Sequence, residues 1–390
     1  MGISGKILII CLAAILVGSA GTLWYLETGP EIGQHLFQEH FGYLNDQKVV
    51  SSDELMLTIP KEITRRPLEH DPAPSACAKE APGFDLESNY YYTPFYENNT
   101  GVIKMFVRNI GKQLIFVDGY GANLVENDIW FDHFTGMTIQ PTEEKYMGLL
   151  CIQVPGGVDT VILKPYVSLF AQTDSGEWFS YEEQFYEEIE VAVQPLQEQT
   201  YPATRNNHKG LFIKTNDIVD PLDPSVRELA SSLAKKYPGE YNIYQVCAIF
   251  DHIKENIQYV SDPRGTDQWS APGETLKIGA GDCDDYAILL ASMIESIGGT
   301  TRIYMTDTHA FATVYIGSGG SAENIVKAIS SYYGPVTVYY ATDDHGSWLI
   351  LDPTASLYAG GLPGGAAPTS NGWTYLNTST VDIIDIVPGL

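Results

Sequence analysis

Gly279-Ala280-Gly281-Asp282-Cys283-Asp284-Asp285-Tyr286-Ala287 leads into Leu290, Met293, Ile294 and Ile297, and Gly298-Gly299 then closes the run. The apolar spacing is helical, so this stretch predicts one complete helix with its own start and stop. Asp282 fits the N-cap, and Asp285 fits the third helical position, where an acid can fold back on the cap. Cys283 therefore falls in the first turn. Unpaired amides and the positive end of the helix dipole favour a thiolate there, and the same amides can donate to an oxyanion. Asp282, Asp284 and Asp285 oppose that thiolate, so a nearby imidazolium is required to offset them.

Working outward, His309 opens Ala310-Phe311-Ala312-Thr313-Val314-Tyr315-Ile316, which reads as a strand. Trp348-Leu349-Ile350-Leu351 is a second strand that ends at Asp352, where Pro353-Thr354 breaks it. A histidine at a strand start can reach a helix N-terminus packed on that sheet, and a carboxylate at a strand end can orient the imidazole. Taken singly, a cysteine at a helix start is more often buried and inert, and a lone histidine more often a satisfied surface residue. The contexts decide. Gly281-Asp282-Cys283, His309-Ala310-Phe311 and Leu351-Asp352-Pro353-Thr354, with Trp269-Ser270-Ala271-Pro272-Gly273-Glu274-Thr275-Leu276 upstream, resemble the transglutaminase-like superfamily over roughly Asp217 to Ala355. Phe311 departs from the commoner Trp at that position, which touches packing more than proton transfer. The resemblance implies a papain-related α+β core in which the helix bearing the cysteine packs on an antiparallel sheet. It also implies Cys283, His309 and Asp352 as a catalytic triad attacking a carboxamide or peptide carbonyl through a thioester.

Several nearby residues are weighed against these roles. His345 is a rival base, but Asp343-Asp344-His345-Gly346 reads as a polar turn. Trp269 could aid the oxyanion or pack beneath the loop. Asp262, Asp267, Asp282, Asp284 and Asp285 could hold calcium, yet no spacing matches a known calcium loop, so a solvated or capping role is expected and no cofactor or metal is required.

Around this core, Asp223-Pro224 starts a helix carrying Val226, Leu229, Ala230 and Leu233, and a second helix runs over Ile243 to Gln258. A turn-rich stretch, Ser261 to Gly281, precedes the cysteine helix, and strands follow it. The tail after Tyr358, with Gly360-Gly361 and Gly364-Gly365, reads as a flexible loop leading to a short apolar end able to pack back on the domain. Upstream, Val102–Arg108, Gln113–Val117, Gly148–Gln153, Thr160–Phe170 and Glu188–Val193 are strand-length runs, and Asn109-Ile110-Gly111 supplies a turn. They predict an all-β, immunoglobulin-like sandwich that acts as a spacer.

Ile7 to Leu26 is uncharged and, at about 1.5 Å per residue, about 30 Å long as a helix, the thickness of a bilayer core. Lys6 precedes it while Glu27 and Glu31 follow, which sets the tip in the cytoplasm and the bulk of the chain outside. A cleaved signal ending near Gly18-Ser19-Ala20 is the alternative, and either reading exports the rest. The expected organisation is an anchor over 1–26, a proline-punctuated stalk over 27–88 with one short helix at His35 to Leu44, a sandwich over 89–195 and a transglutaminase-like domain over 196–390. A net charge of -27, from 49 acidic against 22 basic residues, repels phosphate backbones and argues against nucleic acid. Asn98-Asn99-Thr100 and Asn377-Thr378-Ser379 are glycosylation patterns compatible with export. Among five cysteines none forms a C-x-x-C pair; Cys11 and Cys247 read as inert, while Cys77 and Cys151 could form a disulfide. The expected function is a membrane-anchored, cell-surface cysteine peptidase or amidase acting on a protein or peptide, ahead of a protein-crosslinking transglutaminase, because hydrolysis needs only water. A non-catalytic surface module that retains the fold is the reading of a different class.

Overall fold

A computed structural model describes residues 7–13, 22–28, 71–198, 203–263 and 267–387. Among these residues one compact unit takes in 71–195 and 333–336, and a second takes in 203–332 and 337–387.

The first unit is a sandwich of two sheets. β3 (Leu86–Tyr92), β5 (Thr100–Asn109) and β8 (Glu144–Gln153) form one, in that order. β4 (Phe95–Tyr96), β11 (Ile189–Gln194), β9 (Thr160–Gln172), β6 (Ile115–Leu124) and β7 (Ile129–Ile139) form the other, with β10 (Trp178–Phe185) also paired to β9. Inward residues of both sheets, such as Ile103, Met105 and Ile152 against Val117, Leu163 and Val167, share one core. That burial, about 1.5–3 kcal/mol for each large apolar side chain, outweighs any local preference. The Asn109 turn is built as its sequence suggests: the amide side chain donates to Gln113 O and Ile139 O, and its Oδ1 accepts from Gly111 N. The stalk boundary differs from expectation. Leu86–Tyr92 pairs along its length with β5, and Asp71 N donates to Gly136 O, so the unit reaches upstream of residue 89. Tyr90 and Leu86 pack on the shared core, which gives this proline-flanked segment its strand. Cys77 is exposed and Cys151 buried, and both are free thiols, so the disulfide alternative is not realised.

The second unit begins with β12 (Thr204–Asn206), α1 (Lys209–Ile218), α2 (Pro224–Ala234) and α3 (Ile243–Asn256). Asp223 caps α2 by accepting from Ser225 N and Val226 N, ahead of a first-turn proline. The expected turn-rich stretch contains a short helix, α4 (Pro272–Ile278), which starts on a proline and stops at Gly279 in the left-handed region (φ 73°). β13 (Gln258–Tyr259) and β14 (Ala280–Gly281) pair in parallel just before α5 (Cys283–Ser296). α5 is the central element. Ile288, Leu289, Leu290, Met293 and Ile294 are all fully buried, the mark of a helix covered on every side.

A six-stranded sheet lies against α5 in the order β12, β21 (Thr380–Asp385), β15 (Thr301–Met305), β16 (Ala310–Tyr315), β18 (Gly346–Leu351), β17 (Tyr340–Asp343). All its pairings are antiparallel except β12 with β21. Ala287, Ile288 and Ala291 of α5 pack with Ile303 and Ala310 on one face, and Tyr304, Phe311, Ile350 and Tyr375 pack on the other. Two expectations are corrected here. α6 (Gly320–Tyr333) interrupts the strands, because Ala322, Ile325, Val326 and Ile329 recur at helical spacing and are buried. The glycine-rich part of the tail is not a flexible loop, since β19 (Ala366–Thr369) and β20 (Gly372–Tyr375) form a hairpin, while its apolar end packs back as β21, between β12 and β15, on buried Val381, Ile383 and Ile384.

Where hydrophobicity suggests a helix over Ile7 to Leu26, the described residues give two antiparallel strands, β1 (Ile7–Ala13) and β2 (Thr22–Thr28). Apolar content alone does not separate strand from helix. Residues 14–21, and the stalk helix expected at His35 to Leu44, lie outside the described residues. Among the described residues no helix is long and apolar enough to cross a membrane.

Candidate active site

The start of α5 is clamped from behind. Gln258 N donates to Gly279 O and Val260 N to Gly281 O, while the Tyr286 hydroxyl donates to Ile257 O. Asp285 Oδ2 accepts from Asp282 N at 3.4 Å and its Oδ1 from Ser270 N at 2.7 Å, so one carboxylate serves the helix start and pins the preceding loop. Gly281 has no alternative: a Cβ there would lie 2.6 Å from Cβ of Asp285. The sequence placed Asp282 and Asp285 correctly, and Cys283 sits in the first turn, partly exposed.

His309 is positioned by the β15–β16 turn, where its N–H donates to Thr306 Oγ1 at 3.0 Å and its carbonyl accepts from Thr306 N at 2.8 Å. Its Nε2 lies 2.6 Å from Asp352 Oδ2, and Cys283 is near enough to the ring to favour its protonated form. With Nε2 on Asp352, Nδ1 is left for sulfur. Asp352, 1% exposed at the end of β18, is saturated with donors. Its Oδ1 accepts from Thr354 N, Thr354 Oγ1 and Ala355 N, and its Oδ2 also accepts from Gly364 N at 2.8 Å. The structure thus brings all three sequence-selected residues together.

Burial alone would lower the His309 pKa, but the hydrogen bond to Asp352, the nearby Cys283 and the charges of both overcome it and push it up to about 10. Burial opposes the charge on Asp352 too, and the His309 hydrogen bond with the other donors reverses that, holding the carboxyl below its ordinary value. The arrangement is an imidazolium held between a thiol at a helix start and a buried carboxylate, able to stabilise a thiolate and to donate a proton.

His345 lies in the β17–β18 turn, at the opposite end of β18 from Asp352, its N–H donating to Asp343 Oδ1. Trp269 Nε1 donates to Asp267 Oδ1 at 3.0 Å, and Lys214 Nζ lies 3.4 Å above the ring centroid. Its N–H is engaged and its rings pack in the cluster that includes Cys283, so packing is the reading the geometry keeps. Gly364 was not among the residues selected from the sequence, where it stands only as one of the paired glycines of the tail.

Of the acidic residues, Asp262 and Asp267 serve the loop, accepting from Gln268 N and Trp269 Nε1. Asp284 is buried, which corrects the solvated reading for it, while Asp285 is buried in the capping role expected of it. Asp282, Asp284 and Asp285 each offer an oxygen within 4.8 Å of the others, close enough to share a cation or a proton. Burial first, then a hydrogen bond to the Asp282 side chain and the surrounding negative charge, push Asp284 up to about 9. The folded chain then keeps a proton that the unfolded chain releases near pH 4, so this group's contribution to stability falls as pH rises toward about 9. Asp284→Asn is expected to flatten the pH dependence of the unfolding midpoint between neutrality and pH 9, with the variant gaining most at the alkaline end. An unchanged slope would contradict the shared proton.

Residues 227–353 match the model of the transglutaminase-like superfamily, and that segment is a transglutaminase-like domain. No curated protein matches the chain. Solved structures similar to it include a candidate cysteine protease from Cytophaga hutchinsonii, at 14% identity over 76% of this chain and 80% of that one, with a TM-score of 0.25. A candidate protease from Parabacteroides distasonis shows 10% identity over 58% and 65%, with a TM-score of 0.24. Red sea bream transglutaminase shows 10% identity over 67% and 49%, with a TM-score of 0.20.

Proposed function

We propose that the chain is a thiol-dependent acyl-transfer enzyme, a cysteine peptidase or amidase working on a protein or peptide through Cys283, His309 and Asp352. The observation that supports this most is the His309 ring, held 2.6 Å from a buried carboxylate and near enough to the helix-start Cys283 for that residue to favour the imidazolium. The Cys283 thiolate attacks the carbonyl carbon of an amide, and the carbon–oxygen π electrons move onto oxygen. As the tetrahedral centre collapses, His309 gives its proton to the leaving amine and a thioester remains. Water then attacks the thioester, His309 takes the water proton and returns it to sulfur, and a carboxylic acid leaves. Asp352 stays ionised and fixes the ring tautomer.

Cell-surface placement with an N-terminal membrane anchor remains part of the proposal, resting on the Ile7 to Leu26 run and the charges around it. The reaction class is tested by incubating the full chain with a peptide library in the presence and absence of a primary amine, with products read by mass spectrometry. Hydrolysed peptides that depend on Cys283 are expected. Amine-capped products dominating over hydrolysis would replace the peptidase by a cross-linking transferase, and the absence of any Cys283 thioester would reject both.

A further inference from the structure

We infer that Gly364 is a positioning residue of this site, holding the His309–Asp352 pair together through its amide and through the side chain it lacks. The inference rests on the catalytic reading above. Asp352 Oδ2 receives two donors, His309 Nε2 at 2.6 Å and Gly364 N at 2.8 Å, so the tail after β18 ties itself to the oxygen that orients the imidazole. The same glycine lies against the ring. A Cβ on residue 364 would stand 2.8 Å from Nε2, 3.0 Å from Cδ2 and 3.1 Å from Cε1 of His309, overlapping the ring edge that faces the carboxylate.

Neither partner can yield cheaply. The loop is fastened beside Gly364 by Ala366 N donating to Pro363 O and Leu376 N donating to Gly365 O, and farther back by Gly360 N donating to Ile350 O. The ring is stacked on Phe311, with centroids 6.2 Å apart and planes 27° from parallel. An added methyl therefore has to move the imidazole off Asp352 or pull the 364 amide off the same oxygen. Either displacement weakens the imidazolium that holds the Cys283 thiolate. Gly365 provides the control: its φ of +74° strains any substitution, yet a Cβ there meets nothing within 4 Å. Gly365→Ala thus loads the loop without touching the ring.

The experiment compares the pH–rate profile of Cys283 alkylation by iodoacetamide in the full chain for the wild type, Gly364→Ala and Gly365→Ala. Gly364→Ala is expected to slow alkylation near neutral pH about tenfold or more and to move the profile toward that of an unassisted thiol. Gly365→Ala is expected to lower the unfolding temperature with the wild-type profile kept. A wild-type profile in Gly364→Ala, or an equal change in Gly365→Ala, would overturn the inference. Should Gly364→Ala fail to fold, the amide proton of Gly364 in glycine-labelled wild-type protein gives a second reading. It is expected to titrate with the midpoint of the His309 ring, and no titration would overturn the assignment. If wild-type Cys283 alkylates no faster than exposed Cys77, the catalytic reading itself has failed; if it is fast and only Gly364→Ala is silent, the positioning role alone has failed.

Discussion

His309→Ala in the full chain is expected to slow acyl transfer by about a thousandfold or more, because in the proposed mechanism the residue stabilises the attacking thiolate and then protonates the leaving amine. Asp352→Asn should cost less than losing the ring, since the three donors on Oδ1 still hold residue 352 in place while the tautomer control weakens. The pH dependence carries the same signature. With His309 raised to about 10, the imidazolium is present through neutrality, and both turnover and the stability contributed by its bond to Asp352 should be lost as pH rises through about 10. Steady-state rates across that range check this directly. An alkaline fall that survives in His309→Gln would assign it to another group.

Arg302→Met is expected to be the most destabilising single substitution in the second unit, by about 3–5 kcal/mol, the cost typical of stranding partners in a buried ion pair. The guanidinium is 1% exposed, bonded to Asp343 and Asp385, and stacked 3.6 Å from the Trp348 ring centroid. Asp343 also accepts from His345 N, Gly346 N and Trp348 Nε1, so it stays in place and buried when the cation is removed. The three residues join β15, β17 and β21, in the same sheet as β16 and β18, the strands that His309 precedes and Asp352 follows. Denaturant unfolding of Arg302→Met, set against the triple variant that also carries Asp343→Asn and Asp385→Asn, separates the stranded charges from lost packing. Recovery in the triple variant is expected, and a deeper loss would place the cost in packing.

What the sequence made legible was local. Asp282 and Asp285 around Cys283, Asp223 ahead of Pro224, and the Asn109 turn are all decided within a few residues by capping and turn chemistry, and each is found as expected. What it hid depended on distant partners. Thr380–Asp385 becomes a strand because β12 and β15 flank it, and Leu86–Tyr92 because β5 does. Gly364 could not be selected from the sequence, since its role exists only through its approach to His309 and Asp352. α6 and α4 were readable in principle, by the spacing of Ala322, Ile325 and Ile329 and by Pro272 with Gly279, but each lay within a segment whose overall character pointed elsewhere.

The central claim is that His309 makes Cys283 a nucleophile despite the carboxylates around it. Competitive alkylation of the native chain at pH 7, with Cys283 and Cys77 quantified in the same digest, tests it most directly. Cys77 is the stringent reference because it is exposed, whereas Cys247 is slowed by burial alone. The account predicts that Cys283 reacts at least about tenfold faster than Cys77 and that His309→Ala removes the advantage. Equal rates at the two thiols, or a Cys283 advantage that persists in His309→Ala, would contradict it.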